Sequence, residues 1–262
     1  MKTISIVNLK GGVGKTVTTV NMAAILAGDY DKKVLVIDAD PQANATRFFG
    51  LDGSECNSVA GIMAGECDYI PDYIYDTSIN NVSCVPSEIS LIEADIASIR
   101  TGYGLKALNS FLDAVKADNE LANDFGERPF DFTLIDCPPS FTAASVAAIY
   151  ASDEVIIPIK IDAFAIDGMR ELSAQIENVR KIRPGVKIAG VLVTMWHKSN
   201  AVVQGEDLLR ASRWPVYQTH IRRSDKVDES TFARQSLDEY SKGCAATVDY
   251  RRFVSEYLGE VR

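Results

Sequence analysis

At 262 residues, with 47% apolar and 24% charged side chains, the chain has room for one sizeable α/β domain over residues 1–262, and no polar low-complexity tract suggests disorder. No apolar run reaches the eighteen or so residues that span a bilayer, and the N-terminus enters a strand pattern instead of a leader, so a cytosolic protein without a membrane partner is expected. The net charge of −9 argues against indiscriminate nucleic-acid binding, yet residues 50–130 hold fourteen acidic and four basic side chains while residues 180–234 hold five acidic and eleven basic.

The first element is a short buried strand carried by Ile4, Ile6 and Val7, followed by a helix over Thr16 to Ala27. Between them runs Lys10-Gly11-Gly12-Val13-Gly14-Lys15-Thr16. Glycines at 11, 12 and 14 let successive backbone N–H groups point inward, and the helix N-terminus adds partial positive charge, so the loop is a phosphate nest. Lys15 is placed to reach β- and γ-phosphates as a point charge, and the Thr16 hydroxyl to ligate Mg²⁺, which prefers hard oxygens. A nucleoside triphosphate site follows, with contacts from Lys10 through Gly11, Gly12, Val13, Gly14, Lys15 and Thr16 to Val17.

Lys33 to Asp38 is a continuous apolar run ending in a carboxylate, as expected of a central parallel strand, and Ala39 to Thr46 follows beyond its carboxyl end, where ligands gather in such sheets. Residues 50–80 show little periodicity and predict short helices and loops at one edge. Asn81 to Pro86 reads as a strand, with Ser87 as the N-cap of a helix opened by Glu88 and Ile89. Leu105, Leu108, Leu112 and Val115 place a helix over Gly104 to Ala117. Asp131 to Asp136 is a strand that Pro138 and Pro139 prevent from continuing. Glu154 to Lys160 reads as an inner strand, Ala165 to Ile182 as a packed helix, and Val186 to Met195 as a further strand. A helix over Ala201 to Ala211, a short strand at Val216 to Thr219 and a terminal helix from Thr247 to Gly259 complete the pattern. Alternating apolar strands and amphipathic helices predict a doubly wound, mostly parallel sheet flanked by helices. Cys56, Cys67, Cys84, Cys137 and Cys244 lack close spacing and read as reduced thiols.

Three segments together, Lys10 to Thr16, Asp38-Ala39-Asp40-Pro41-Gln42-Ala43-Asn44, and Asp136-Cys137-Pro138-Pro139, resemble the deviant P-loop, switch I and switch II of the ParA/MinD family of ATPases. Leu9 stands where the general P-loop has glycine, and Lys10 is the extra lysine of the deviant form. The resemblance implies ATP and Mg²⁺ as cofactors, slow hydrolysis, and a homodimer formed on ATP binding in which Lys10 crosses to the partner's nucleotide. It implies Lys10, Lys15 and Asp40 as catalytic, Asp40 by orienting or activating the attacking water, and Thr16, Asp40 and Asp136 on the metal side, with Asp38 supporting the loop lysine or the Mg²⁺ shell. Val17 replaces a second hydroxyl residue usual in the family, with Thr18 or backbone donors expected to compensate. Ile161 to Gly168 is similar to a family stretch at the dimer face. Ile221 to Ser230 is similar to a second family segment, with Arg222 in place of its proline.

Without an added DNA-reading domain, the chain looks like a small ParA-type partition ATPase. That likeness implies non-specific DNA binding by the ATP dimer, a ParB-type centromere-binding adaptor that stimulates hydrolysis, and a nucleoid-associated cytoplasmic location. Arg180, Lys181, Arg183, Arg210, Arg213, Arg222 and Arg223, with Lys198 and Lys226, are the expected phosphate contacts. The alternatives are a MinD-like positioning ATPase, for which the mixed-charge tail Asp249 to Arg262 is poorly suited, and an iron-protein reductase, for which Cys137 lacks a second ligand.

Overall fold

The β-branched runs assemble into one seven-stranded sheet in this computed structural model, which describes residues 1–124 and 128–260. The strands are β1 (Lys2–Ile6), β2 (Val34–Asp38), β3 (Tyr75–Asp76), β4 (Val82–Val85), β5 (Phe132–Asp136), β6 (Glu154–Lys160) and β7 (Lys187–Thr194). Their order is β3-β4-β2-β5-β1-β6-β7, parallel throughout except for β3, which pairs antiparallel with β4 at the edge. The helices are α1 (Lys15–Tyr30), α2 (Asn44–Phe48), α3 (Val59–Ala64), α4 (Leu91–Thr101), α5 (Gly104–Asp124), α6 (Ala143–Ala151), α7 (Ala165–Arg180), α8 (Asn200–Arg210), α9 (Asp225–Ala233), α10 (Leu237–Tyr240) and α11 (Ala245–Tyr257). Val261 and Arg262 of the expected tail lie outside the described residues.

Two apolar cores, one on each face, hold the sheet. Leu35, Ile37, Ile135, Val155 and Ile157 point to one side, where they meet Leu108, Leu112, Ile149 and Leu172 of the helices α5, α6 and α7. Ile4, Ile6, Val34, Val36 and Leu134 point to the other, against Met22 and Leu26 of α1 and Phe253 of α11. Removing an Ile or Leu from water stabilises by about 1.5–3 kcal/mol, so strands covered on both faces are near-continuously apolar. The mostly parallel, doubly wound sheet expected from the sequence is what forms.

Several local expectations differ. Ser87 does not cap a helix: its N–H donates to Thr46 Oγ1 at 2.9 Å, and α4 begins only at Leu91. No strand forms at residues 216–219, where a single parallel bridge joins Val216 to Val191, with the Val191 N–H donating to the Pro215 carbonyl and the Tyr217 N–H to the Val191 carbonyl. Thr18 is turned inward, its hydroxyl 3.2 Å from that of Tyr250 in α11, and so does not replace the hydroxyl lost at Val17.

Parallel register decides what meets at the carboxyl edge of the sheet. Ile6 of β1 and Asp38 of β2 both pair with Asp136 of β5, so the loop after β1 emerges beside two strand-end carboxylates.

Candidate phosphate and nucleotide site

Gly14 ends the loop after β1 in a left-handed conformation, φ 85°, directly before the first residue of α1. A side chain there would be strained, and the turn lets the free N–H groups of the first turn of α1 face outward together with its positive dipole end. The loop is fastened from three sides. Asn8 Nδ2 donates to the Pro158 carbonyl of β6 and Asn8 Oδ1 accepts from the Lys10 N–H, while Thr194 Oγ1 at the end of β7 donates to the Val13 carbonyl at 2.8 Å. Neither Asn8 nor Thr194 was singled out from sequence. Asn8 sits two residues before Lys10 and was within reach of that reading, whereas Thr194 is 181 residues from its partner.

Lys15 is buried, 7% exposed, and its Nζ donates to the Lys10 carbonyl at 3.1 Å across the loop. Burial lowers its pKa, against the opposing pull of Asp136, Cys137 and Asp40. Thr16 Oγ1 donates to Asp136 Oδ2 at 2.7 Å, and Thr19 Oγ1 lies 3.4 Å from Asp136 Oδ1. The Asp136 carboxyl is fully buried, and desolvation, followed by the proximity of Asp38, holds its pKa well above the ordinary value. Asp40 is buried, and its Oδ1 accepts from the Gln42 N–H at 2.9 Å. Lys15, Thr16, Asp40 and Asp136 thus lie together.

Asp38 has a different task from the one expected. Its Oδ2 accepts from the N–H and the hydroxyl of Thr46, each at 2.8 Å, and its Oδ1 accepts from the Asp40 N–H, so it pins the Asp-Pro-Gln turn to β2. Burial raises its pKa to about 6 despite those three donors. Lys10, expected to reach across to another subunit, is ion-paired with Asp162 of its own chain. Cys137 is buried and its thiol is pushed up by burial and by Asp136, so it behaves as a small core residue.

Beside Gly14 opens a cavity of about 320 Å³, walled by Val17, Met195, Ile221, Val227 and Tyr250 with Thr194 and Arg222 at its polar side. Apolar walls with a few polar groups suit a flat ring. Among the described residues there is no cluster of three or more His, Cys, Asp or Glu that would cage a metal by itself. One hydroxyl and one carboxylate, Thr16 and Asp136, fit a cation that shares its shell with phosphate oxygens and water, which is how Mg²⁺ is held in phosphate sites.

The basic residues of the 180–234 segment are divided. Helices after parallel strands run back across the sheet, so Arg180, Lys181 and Arg183 at the end of α7, and Arg210 and Arg213 at the end of α8, lie toward the edge opposite the loop. Most are engaged: Arg180 with Glu177 and the Val186 carbonyl, Lys181 with Asn178, and Arg210 with Glu206. Arg222 forks onto buried Asp249 at 2.7 and 2.8 Å beside the cavity. Exposed Arg223 follows it, with no ion pair among the described residues. The seven do not form one surface on a single chain.

The AAA domain family matches residues 1–188. Along 97% of its length the chain is 33% identical to 98% of the sporulation initiation inhibitor protein Soj of Bacillus subtilis. It is 29% identical, over its full length, to 96% of the chromosome partitioning protein ParA of Caulobacter vibrioides. Its fold superposes with a TM-score of 0.77 on the septum site-determining protein MinD of Pyrococcus horikoshii, solved with Mg-ADP, at 23% identity over 97% of this chain and 95% of that one.

Proposed function

We infer that this chain, which belongs to the AAA domain family and is a P-loop ATPase of the ParA/MinD type, hydrolyses ATP as a dimerisation switch for DNA partition. The observation that carries the reading is the convergence of Lys15, Thr16, Asp40 and Asp136 at the ends of three adjacent strands. The loop N–H groups and Lys15 bind the triphosphate, and the cavity walled by Val17, Met195 and Ile221 takes the base. Thr16 and Asp136 hold Mg²⁺, with Asp40 on the same side. Mg²⁺ held by these groups would supply positive charge to offset that which develops on the phosphate oxygens.

Asp40, fixed by the turn that Asp38 pins, orients the attacking water, and positioning with charge stabilisation supplies the catalysis. Lys10 leaves Asp162 and enters the partner's nucleotide site when two ATP-loaded chains meet, so ATP favours the dimer and hydrolysis ends it.

The dimer binds DNA without sequence preference, is released when a ParB-type adaptor speeds hydrolysis, and resides on the nucleoid. Relatedness to Soj and ParA supports this use, and Arg223 is an exposed base lining the nucleotide cavity. A membrane-bound reading is disfavoured by α11, whose Tyr250, Phe253 and Val254 are consumed in packing.

The test is binding to a mixed-sequence DNA duplex with ATP, ADP or no nucleotide across a salt series, alongside ATP turnover. Binding that needs ATP and weakens steeply with salt supports partition. No DNA binding by a demonstrated ATP dimer would move the cargo to a protein or a membrane, and absent turnover would remove the switch.

A further inference from the structure

Helix α4 buries one face and leaves another apolar face uncovered. Leu91, Ala94, Asp95 and Ser98 point into the protein, whereas Ile92, Ile96 and Ile99 are 45%, 50% and 74% exposed, and Ile89, one turn earlier, is 63% exposed. The spacing of 4 and 3 aligns Ile92, Ile96 and Ile99 along about 10 Å of α4, and Ile89 in the turn before the helix leads into the row. Single exposed isoleucines are ordinary, but an aligned row of them is the kind of contiguous apolar surface that marks an interaction site.

The chemistry around the row selects its occupant. Glu88 and Glu93 flank it, Arg100 is the only base on the helix, and the chain from residue 50 to residue 130 carries a net charge of −10. Such a rim repels nucleic acid and anionic lipid. A two-fold contact with a second copy sets the same acidic rim against itself. We propose that the Ile89–Ile99 row of α4 is a docking surface for an amphipathic helix of another protein, one whose apolar stripe is bordered by lysine or arginine. Three turns of such a helix match the row, and its bases meet Glu88 and Glu93.

The helix is also tied at two points to the site. In the segment leading into it, four residues before Leu91, the Ser87 N–H donates to Thr46 Oγ1, whose hydroxyl donates to Asp38 Oδ2. In its middle, Asp95 Oδ1 accepts from the Ala144 N–H at 2.7 Å, at the beginning of the helix that follows Asp136-Cys137-Pro138-Pro139. An occupant of α4 therefore sits on the element that braces both loops around Asp40 and Asp136.

The docking test does not depend on ATP hydrolysis, so its failure is separable from failure of the ATPase reading. The probe is a fluorescent eighteen-residue synthetic peptide with leucines at helical spacing and lysines on either side, titrated against the full chain and read by anisotropy. Two controls share its length: one with the leucines out of helical register, one with glutamate for lysine. We expect saturable binding of the probe, and binding at least about tenfold weaker for both controls and for an Ile92→Ser/Ile96→Ser chain, a loss of the size expected for two apolar anchors. These positions are exposed, so the variant should melt with the wild type, and Glu93→Lys gives a second, charge-based check. Equal binding of the out-of-register peptide, or undiminished binding by the folded serine variant, would overturn the proposal. So would a wild-type dimer that the same variant converts to monomer, which would assign the row to a second copy.

Discussion

The Lys10 ammonium and the Asp162 carboxylate form an ion pair inside one chain, joining the loop after β1 to the segment after β6. Asp162 also accepts from the Phe164 N–H at 3.1 Å, and the bond from Lys10 holds its pKa below the usual carboxylate range. The lysine proposed to act in a partner's site is thus held at home until that partner arrives. Both side chains are partly exposed, so the pair is a weak latch. Asp162→Asn should strengthen ATP-dependent self-association by up to about thirtyfold, because two such pairs, each worth at most roughly 1 kcal/mol, are given up per dimer. Sedimentation equilibrium with ATP reads this directly, and an unchanged or weaker dimer would remove the latch.

Lys15→Ala should lower nucleotide affinity by at least about a hundredfold, because it removes a buried charge aimed at phosphate together with a brace across the loop. Calorimetric titration with ATP checks it. Undiminished affinity would reject the site.

Asp40→Ala should leave ATP binding in place while hydrolysis nearly ceases and the dimer lives longer. Its carboxylate supports only the Gln42 N–H among the loop contacts, and Asp38 continues to pin the turn. Wild-type turnover by this variant would take the water-orienting role away from Asp40.

Stability without nucleotide or Mg²⁺ should fall as pH rises from about 4 to 6. Asp38 keeps its proton up to about pH 6 in the folded chain, against an unfolded value near 3.9, so in that window the folded state binds more protons than the unfolded one. The contribution is on the order of 3 kcal/mol. Asp136→Asn removes a buried carboxyl whose own pKa is raised by desolvation, and it should raise the Tm at pH 7 and flatten the pH dependence while abolishing turnover. A melting curve series at pH 5, 6 and 7 decides it; a lower Tm for the variant at pH 7 would contradict the account.

Arg222 and Arg223 should separate on charge reversal. Arg222→Glu leaves Asp249 buried and unpaired, costing on the order of 1–3 kcal/mol of stability. Arg223→Glu should leave the Tm unchanged and reduce ATP-dependent DNA binding, with a shallower salt dependence. Identical DNA binding by a folded Arg223→Glu chain would exclude that residue from the interface.

What the amino-acid sequence alone determined was local and ordered along the chain. Glycines 11, 12 and 14 ahead of Lys15 and Thr16 read as a phosphate loop because a strand precedes them and a helix follows, and the structure builds that arrangement. The runs ending at Asp38 and Asp136 read as central strands because only strands covered on both faces are so continuously apolar. The pairings were decided by tertiary structure. That Lys10 meets Asp162 and that Thr194 fastens Val13 depend on which strands become neighbours and in what register, over separations of 152 and 181 residues. The scattering of the arginines and the bare isoleucine row of α4 have the same origin. Charge and hydropathy along a chain say what a residue prefers, but whether a partner reaches it is set by how the helices return across the sheet.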